Sequence, residues 1–325
     1  MNKTNIYIAE KLPEEVEKYI AKYCNYEKWD FDEKIPRDIL LQRIKDKDGV
    51  ILTGIKIDEE LLKNAPKLKV VSNISVGYNN FELEAMKKRK IIGTNTPYVL
   101  DDTVADLILG LMLSASRRIV ELDRYVKEGK WTPRDDENLF GLDVHHTTLG
   151  IIGMGRIGEA VAKRAKFGFD MEVLYYNRSR KEDTEKRLGV KYCDFDSLLQ
   201  KSDFIVLMTP LTEDTYHLID TKEFDKMKNT AVFINASRGQ TVNEKALIEA
   251  LKSNKIYAAG LDVYETEPIN SGNPLLKMPN VVTIPHIGSA TEKTRYNMCM
   301  VAAKSLVSAV TGEVPINVVP ELNKI

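Results

Sequence analysis

Apolar and polar positions alternate between two periods along nearly the whole chain. Short apolar, β-branched runs read as buried strands: "NIYIA", "YEKW", "GVILT", "LKVVSN" and "KIIGTN" in the first third. Further on come "TTLGIIG", "MEVLYY", "DFIVLMT", "TAVFINA", "YAAGLDV" and "VVTIP". Helical patterns separate them, among them 101–128, 156–167 and 243–252, and a last one, "SATEKTRYNMCMVAAKSLVSAVTG", closes the chain. The alternation predicts parallel sheets covered by helices on both faces. The first strand set ends near Pro97. A long amphipathic helix is predicted next, over "DDTVADLILGLMLSASRRIVELDRYVKEG", with acids at its start and Gly129 at its end. A polar connection dotted with aromatics, "KWTPRDDENLFGLDVHH", leads to the second strand set, which opens at Thr148. The fold class is therefore α/β, with two doubly wound units. The pattern does not say against which unit the C-terminal helix packs.

Composition adds limits. At 325 residues, 43% hydrophobic and 29% charged, the chain is an ordinary globular mix long enough for two domains. A net charge of −1 offers no global basic field to nucleic acid or an anionic membrane. No apolar run nears the ~20 residues of a membrane span. The start, "MNKTNIYIAEKLPEE", has no apolar export core, so a cytoplasmic location is expected. Cys24, Cys193 and Cys299 show neither metal-ligand nor disulfide spacing and are expected to be buried, inert thiols.

The first chemical signal is "LGIIGMGRIGEAVAKR", with Gly153, Gly155 and Gly158 spaced G-x-G-x-x-G between a strand and a helix. That context is what a dinucleotide fingerprint requires. Gly153 permits the tight turn, Gly155 the approach of a pyrophosphate, and Gly158 close helix–strand packing. Arg156 and Ile157 open the helix whose N–H groups face the phosphates. The following strand ends in "NRSR", Asn177, Arg178, Ser179 and Arg180, where an acid would bind an NAD ribose. Guanidiniums and a hydroxyl in place of a carboxylate suit a 2′-phosphate, so NADPH is expected over NADH.

Three later strands run into ionisable residues: "AVFINAS" into Arg238, "AAGLDVYETEP" into Asp262, Glu265 and Glu267, and "VVTIP" into His286. Ligands of open parallel sheets sit beyond such strand ends. Arg238 can grip a planar α-keto acid and His286 can protonate the new alkoxide. Glu267 can orient the imidazole and favour its charged form. Pro285 and Pro268 keep the backbone around His286 and Glu267 out of helix. Glu265 reads as a surface acid, His217 as a loop or cap residue, and His145 and His146 as packing or interface residues.

Together "LGIIGMGRIG", "FINASRG", "AAGLDVYETEP" and "VVTIPHIGSAT" resemble the D-2-hydroxyacid dehydrogenase family over essentially the whole chain. Within it, "VSNISVGYNNFELEAM", "DVHHTTLGIIGMGRIGEAVAKRAKFGF" and "PHIGSATEKTRYNM" are most similar to the glyoxylate/hydroxypyruvate reductases, including 2-ketogluconate reductases. The resemblance implies a Rossmann nucleotide-binding domain, 100–289, inserted into a flavodoxin-like catalytic domain, 1–99 with 290–325. It implies Arg238, Glu267 and His286 as the catalytic triplet, and Val76 and Gly77 as holders of the substrate carboxylate. Thr103, Thr209, Pro210, Ala236, Ser237, Asp262 and Gly288 would line the cofactor. It also implies a homodimer, with Phe140 reaching the partner's site. One departure is Asn79, where the family commonly has Asp. Two other readings share the scaffold: a D-3-phosphoglycerate dehydrogenase-like enzyme and a non-catalytic dinucleotide-sensing corepressor.

Overall fold

The structure, a computed structural model, describes residues 3–323. The chain divides into two units, Met1–Leu100 with Ala290–Ile325 and Asp101–Ser289. Each forms its own parallel sheet with its own core.

In the first unit the strands are β1 (Thr4–Ile8), β2 (Cys24–Lys28), β3 (Gly49–Leu52), β4 (Val70–Asn73) and β5 (Ile92–Thr94). They pair in parallel in the order β2-β1-β3-β4-β5. Every residue of β3 and β4 is buried, as expected of central strands covered on both faces. At the edge strand β2 only Cys24 is buried. Four short helices alternate with these strands: α1 (Glu14–Tyr23), α2 (Arg37–Arg43), α3 (Glu59–Asn64) and α4 (Leu83–Lys88).

The second unit holds β6 (Thr148–Ile152), β7 (Glu172–Tyr176), β8 (Lys191–Tyr192), β9 (Phe204–Leu207), β10 (Val232–Asn235), β11 (Ala258–Leu261) and β12 (Val281–Thr283). Their order is β12-β11-β10-β9-β6-β7-β8, all parallel. Its helices are α5 (Asp101–Ser116), α6 (Ile119–Lys127), α7 (Arg156–Gly168), α8 (Glu182–Leu188), α9 (Phe195–Lys201), α10 (Thr221–Lys226) and α11 (Glu244–Lys252). The sequence pattern carries no sign of β8, a pair of exposed residues too short for any periodicity.

Two expectations are settled here. The predicted single helix over 101–128 is broken between α5 and α6, where Arg118 adopts φ 55°. Leu142 N–H donates to the Ser116 carbonyl at 2.9 Å, taking the acceptor a continuing helix would use. Arg118 then bridges Glu121 and the carbonyls of Asn138 and Phe140. The break is thus a tertiary feature imposed by the returning connection. The C-terminal helix, α12 (Glu292–Thr311), packs on β3, β4, β5 and α1 of the first unit. The Ser72 hydroxyl of β4 donates to its Ala302 carbonyl at 2.8 Å. Thr291 caps its start and Gly312 its end. Among the described residues no helix is long and apolar enough to cross a membrane. Cys24 is buried, while Cys193 and Cys299, expected to be so, are only partly covered.

Candidate active site

The strands β10, β11 and β12 are consecutive neighbours at one side of the second sheet. Each releases its candidate residue just past its carboxyl end: Arg238 after β10, Asp262 directly after β11 with Glu267 on the same loop, and His286 after β12. His286 Nδ1 and Glu267 Oε2 lie 2.7 Å apart, a hydrogen bond. The other carboxylate oxygen of Glu267 accepts from the Tyr264 N–H at 3.1 Å. Burial pushes the Glu267 carboxyl up, but the hydrogen bond and charge of His286, the Tyr264 N–H and the Arg238 charge together outweigh it and hold the group below its ordinary value. Glu267 is therefore a carboxylate when His286 needs a partner.

His286 sits at φ 52°, a left-handed conformation uncommon for a residue with a side chain. Asp262 holds that turn. Its Oδ1 accepts from Ile287 N–H at 2.7 Å and its Oδ2 from Gly288 N–H at 2.9 Å. A strained residue persists where its surroundings over-determine it, and two bonds to one buried carboxylate do so here. Burial raises the Asp262 carboxyl, and the Ile287 and Gly288 N–H groups oppose the rise. Arg238 donates through its Nη1 to the Ser237 carbonyl at 2.7 Å. Burial pulls its guanidinium down, while the Glu267 charge supports it.

The glycine loop lies at the end of β6, next to β9, where the strand order reverses. Gly153 has φ 105°, and a Cβ there would stand 2.7 Å from the Met208 backbone. A Cβ on Gly158 would meet the Gly153 carbonyl at 2.7 Å. At Gly155 a Cβ would meet nothing within 4 Å, so the loop presents open space where a phosphate approaches. Ile157 and Gly158 lie in the first turn of α7, whose amides have no acceptor within the helix. The Thr209 hydroxyl is buried without a partner among the described residues. Open space, free amides and an orphaned buried hydroxyl fit a nicotinamide dinucleotide.

The "NRSR" segment divides its labour differently from the expectation. Asn177 Oδ1 accepts from the Met154 N–H at 2.6 Å, and its Nδ2 donates to the Met154 carbonyl at 3.2 Å. The amide thus clamps the glycine loop. Arg180 is held by both oxygens of Glu185 at 2.8 and 2.7 Å. Arg178 and Ser179 remain exposed, with Arg178 3.5 Å from Asp214 across the loop. Arg156 pairs with Asp101 at 3.2 Å. Ser237 is buried and bonded to Asn235, and Thr103 and Ala236 are partly buried in the same unit, with Pro210 exposed.

Val76 and Gly77 follow β4 in the first unit. Their carbonyls accept from Asn95 at 2.8 Å and Asn73 at 2.9 Å. Their N–H groups donate to nothing among the described residues. One pair escaped the sequence reading: His217 Nε2 and Glu265 Oε1 are 2.7 Å apart, so Glu265 is a partner and not a plain surface acid. The two lie 48 residues apart, and no local spacing signals them.

Comparison with known proteins bears on this geometry. The D-isomer specific 2-hydroxyacid dehydrogenase NAD binding domain matches residues 109–288. A glyoxylate/hydroxypyruvate reductase B of Escherichia fergusonii is 51% identical over 278 residues, 85% of this chain and 86% of that one. Its counterpart in Yersinia pestis is 46% identical over 317 residues, 98% of this chain and 97% of that one. The crystal structure of an NADPH-dependent glyoxylate/hydroxypyruvate reductase from Sinorhizobium meliloti, in complex with NADP and malonate, superposes with a TM-score of 0.87 at 28% identity, covering 99% of this chain and 98% of that one. A dinucleotide loop, a His–carboxylate pair and an arginine on three adjacent strand ends, together with these likenesses, make the chain a member of the D-isomer specific 2-hydroxyacid dehydrogenase family, an NAD(P)-dependent oxidoreductase.

Proposed function

We propose that the protein reduces small 2-keto acids, namely glyoxylate, hydroxypyruvate and 2-ketogluconate, to D-2-hydroxy acids with NADPH. The observation that carries this reading is the 2.7 Å His286–Glu267 bond beside Arg238. Relatives named as glyoxylate/hydroxypyruvate reductases support the substrate class. The nicotinamide, when bound, supplies the hydride. Arg238 binds the keto acid through its fork of N–H donors. His286 gives its Nε2 proton to the alkoxide that forms, while Nδ1 stays on Glu267. The Glu267 carboxylate fixes the ring and balances the imidazolium that precedes proton transfer. The amides of Val76 and Gly77 hold the substrate carboxylate. Arg178 and Ser179 receive the 2′-phosphate, since Arg180 is committed to Glu185. Thr103, Thr209, Pro210, Ala236, Ser237 and Gly288 line the cofactor. Exposed Trp131, Phe140, Val126 and Phe167 support a homodimer.

The test is initial-rate kinetics with NADPH and NADH separately, on each of the three acids. The wild type should favour NADPH, and His286→Ala should lose about 10²–10⁴-fold in kcat. Faster turnover with NADH would remove the cofactor preference and leave the chemistry. Tight dinucleotide binding with no turnover of any acid would favour the sensing role instead.

A further inference from the structure

The group beyond the keto carbon must be read by residues the triplet does not include. Three segments of the first unit meet at the carboxyl edge of its sheet. Ile8 of β1 pairs with Ile51 of β3, and Ala9 N–H extends the ladder to the Ile51 carbonyl at 2.9 Å. The same register, continued two residues, places Glu10 opposite Thr53, and the Thr53 side chain works against the rise that burial causes in the Glu10 carboxyl. The strand order reverses at β1, which lies between β2 and β3, so this is the switch point where open α/β sheets bind ligands. The charges of Arg295 and Lys34 act on Glu10, and Glu10 in turn acts on Cys299. Arg295 and Cys299 stand one turn apart on α12, which turns that helix face towards the same point.

Glu10 has the profile of a functional carboxyl. Burial pushes it above its ordinary value, and Thr53 and the more distant cations only partly oppose this. Among the described residues it forms no ion pair within 4.0 Å. A desolvated acid without a paired charge costs free energy that stability does not explain. A carboxyl and a hydroxyl side by side both accept hydrogen bonds, and the hydroxyl also donates. They match a sugar-like run of hydroxyls.

We propose that Thr53 and Glu10, with Arg295 facing them, form a subsite that reads hydroxyl groups on the tail of the 2-keto acid. The proposal rests on the function above, with the substrate carboxylate at Val76 and Gly77 beyond β4. Thr53 stands opposite Ile74, two residues short of Val76, and Glu10 stands one strand further from that anchor. A three-carbon hydroxy keto acid reaches Thr53. A six-carbon sugar acid also reaches Glu10.

The experiment measures kcat/KM with NADPH for glyoxylate, which has no tail, hydroxypyruvate and 2-ketogluconate. It uses the wild type, Thr53→Val and Glu10→Gln, and takes each tail-bearing acid as a ratio to glyoxylate. Thr53→Val should lower both ratios and Glu10→Gln chiefly that of 2-ketogluconate, each about tenfold or more. Equal changes on all three acids, or no change in the ratios, would overturn the subsite. A wild type that reduces glyoxylate but not 2-ketogluconate would overturn it too. A wild type inert towards all three would remove the proposed function as well.

Discussion

Asn177 shows what a single amide does. It gives one hydrogen bond to Met154 and takes another from it, which no carboxylate can do. Asn177→Asp, the exchange that would suggest a switch to NADH, should instead loosen the loop. It leaves the Met154 carbonyl facing a negative charge, at about 1–3 kcal/mol. Titrating the variant with NADPH and with NADH should show weaker binding of both dinucleotides; tighter NADH binding would sink the clamp. Glu185 offers a pH test. The hydrogen bond from Arg180 holds its carboxyl at about 2, against an ordinary 4.5. A depressed carboxylate contributes stability that is present above the unfolded value and lost as pH falls through the folded one. The melting difference between wild type and Glu185→Gln should therefore stay constant down to about pH 5 and shrink between there and about pH 2. Arg238, Glu267 and His286 are legible because each lies on the loop that follows an apolar strand. The commitment of Arg180 to Glu185 was not, because charge alone does not say which partner a side chain takes.

Elements were read best where periodicity is long or burial is complete. The fully buried β9 stands out as a continuous apolar run, and β10 is apolar up to Asn235. The end of α5 has no sequence signal, because helix propensity persists through "SASRRIVELD" while the competing hydrogen bond comes from Leu142. Periodicity marks the C-terminal helix α12 without placing it, and the family resemblance assigns it to the first unit. Its Leu306 is fully buried, so Leu306→Ala should cost about 2–5 kcal/mol by cavity formation. Chemical denaturation of the wild type and variant checks this, and a cost below about 1 kcal/mol would mean that α12 is not packed as described.

At the scale of the molecule, each unit closes its own core. One cluster runs from Ile152 to Val281 within the second unit, and another joins Tyr7 through Ile91 to Val319 and Leu322 within the first. The second unit is continuous in sequence, the first is not. A fragment of residues 101–289 should therefore melt cooperatively and bind NADPH, measured by circular dichroism and cofactor fluorescence. A fragment of residues 1–100 should not fold alone, since β3, β4 and β5 lose the helix that covers them.

The amino-acid order by itself determined the local chemistry: which apolar segments are strands, where the glycine loop lies, and which ionisable residues follow the strands. Those follow from periodicity and from turn and phosphate geometry, which act over a few residues. Only the tertiary structure decided which strands are neighbours, and so that Arg238, Glu267 and His286 follow three adjacent strands. It alone paired His217 with Glu265 and placed Glu10 opposite Thr53. Sheet order and side-chain partnership depend on burial between segments far apart in the chain, and no local pattern encodes them.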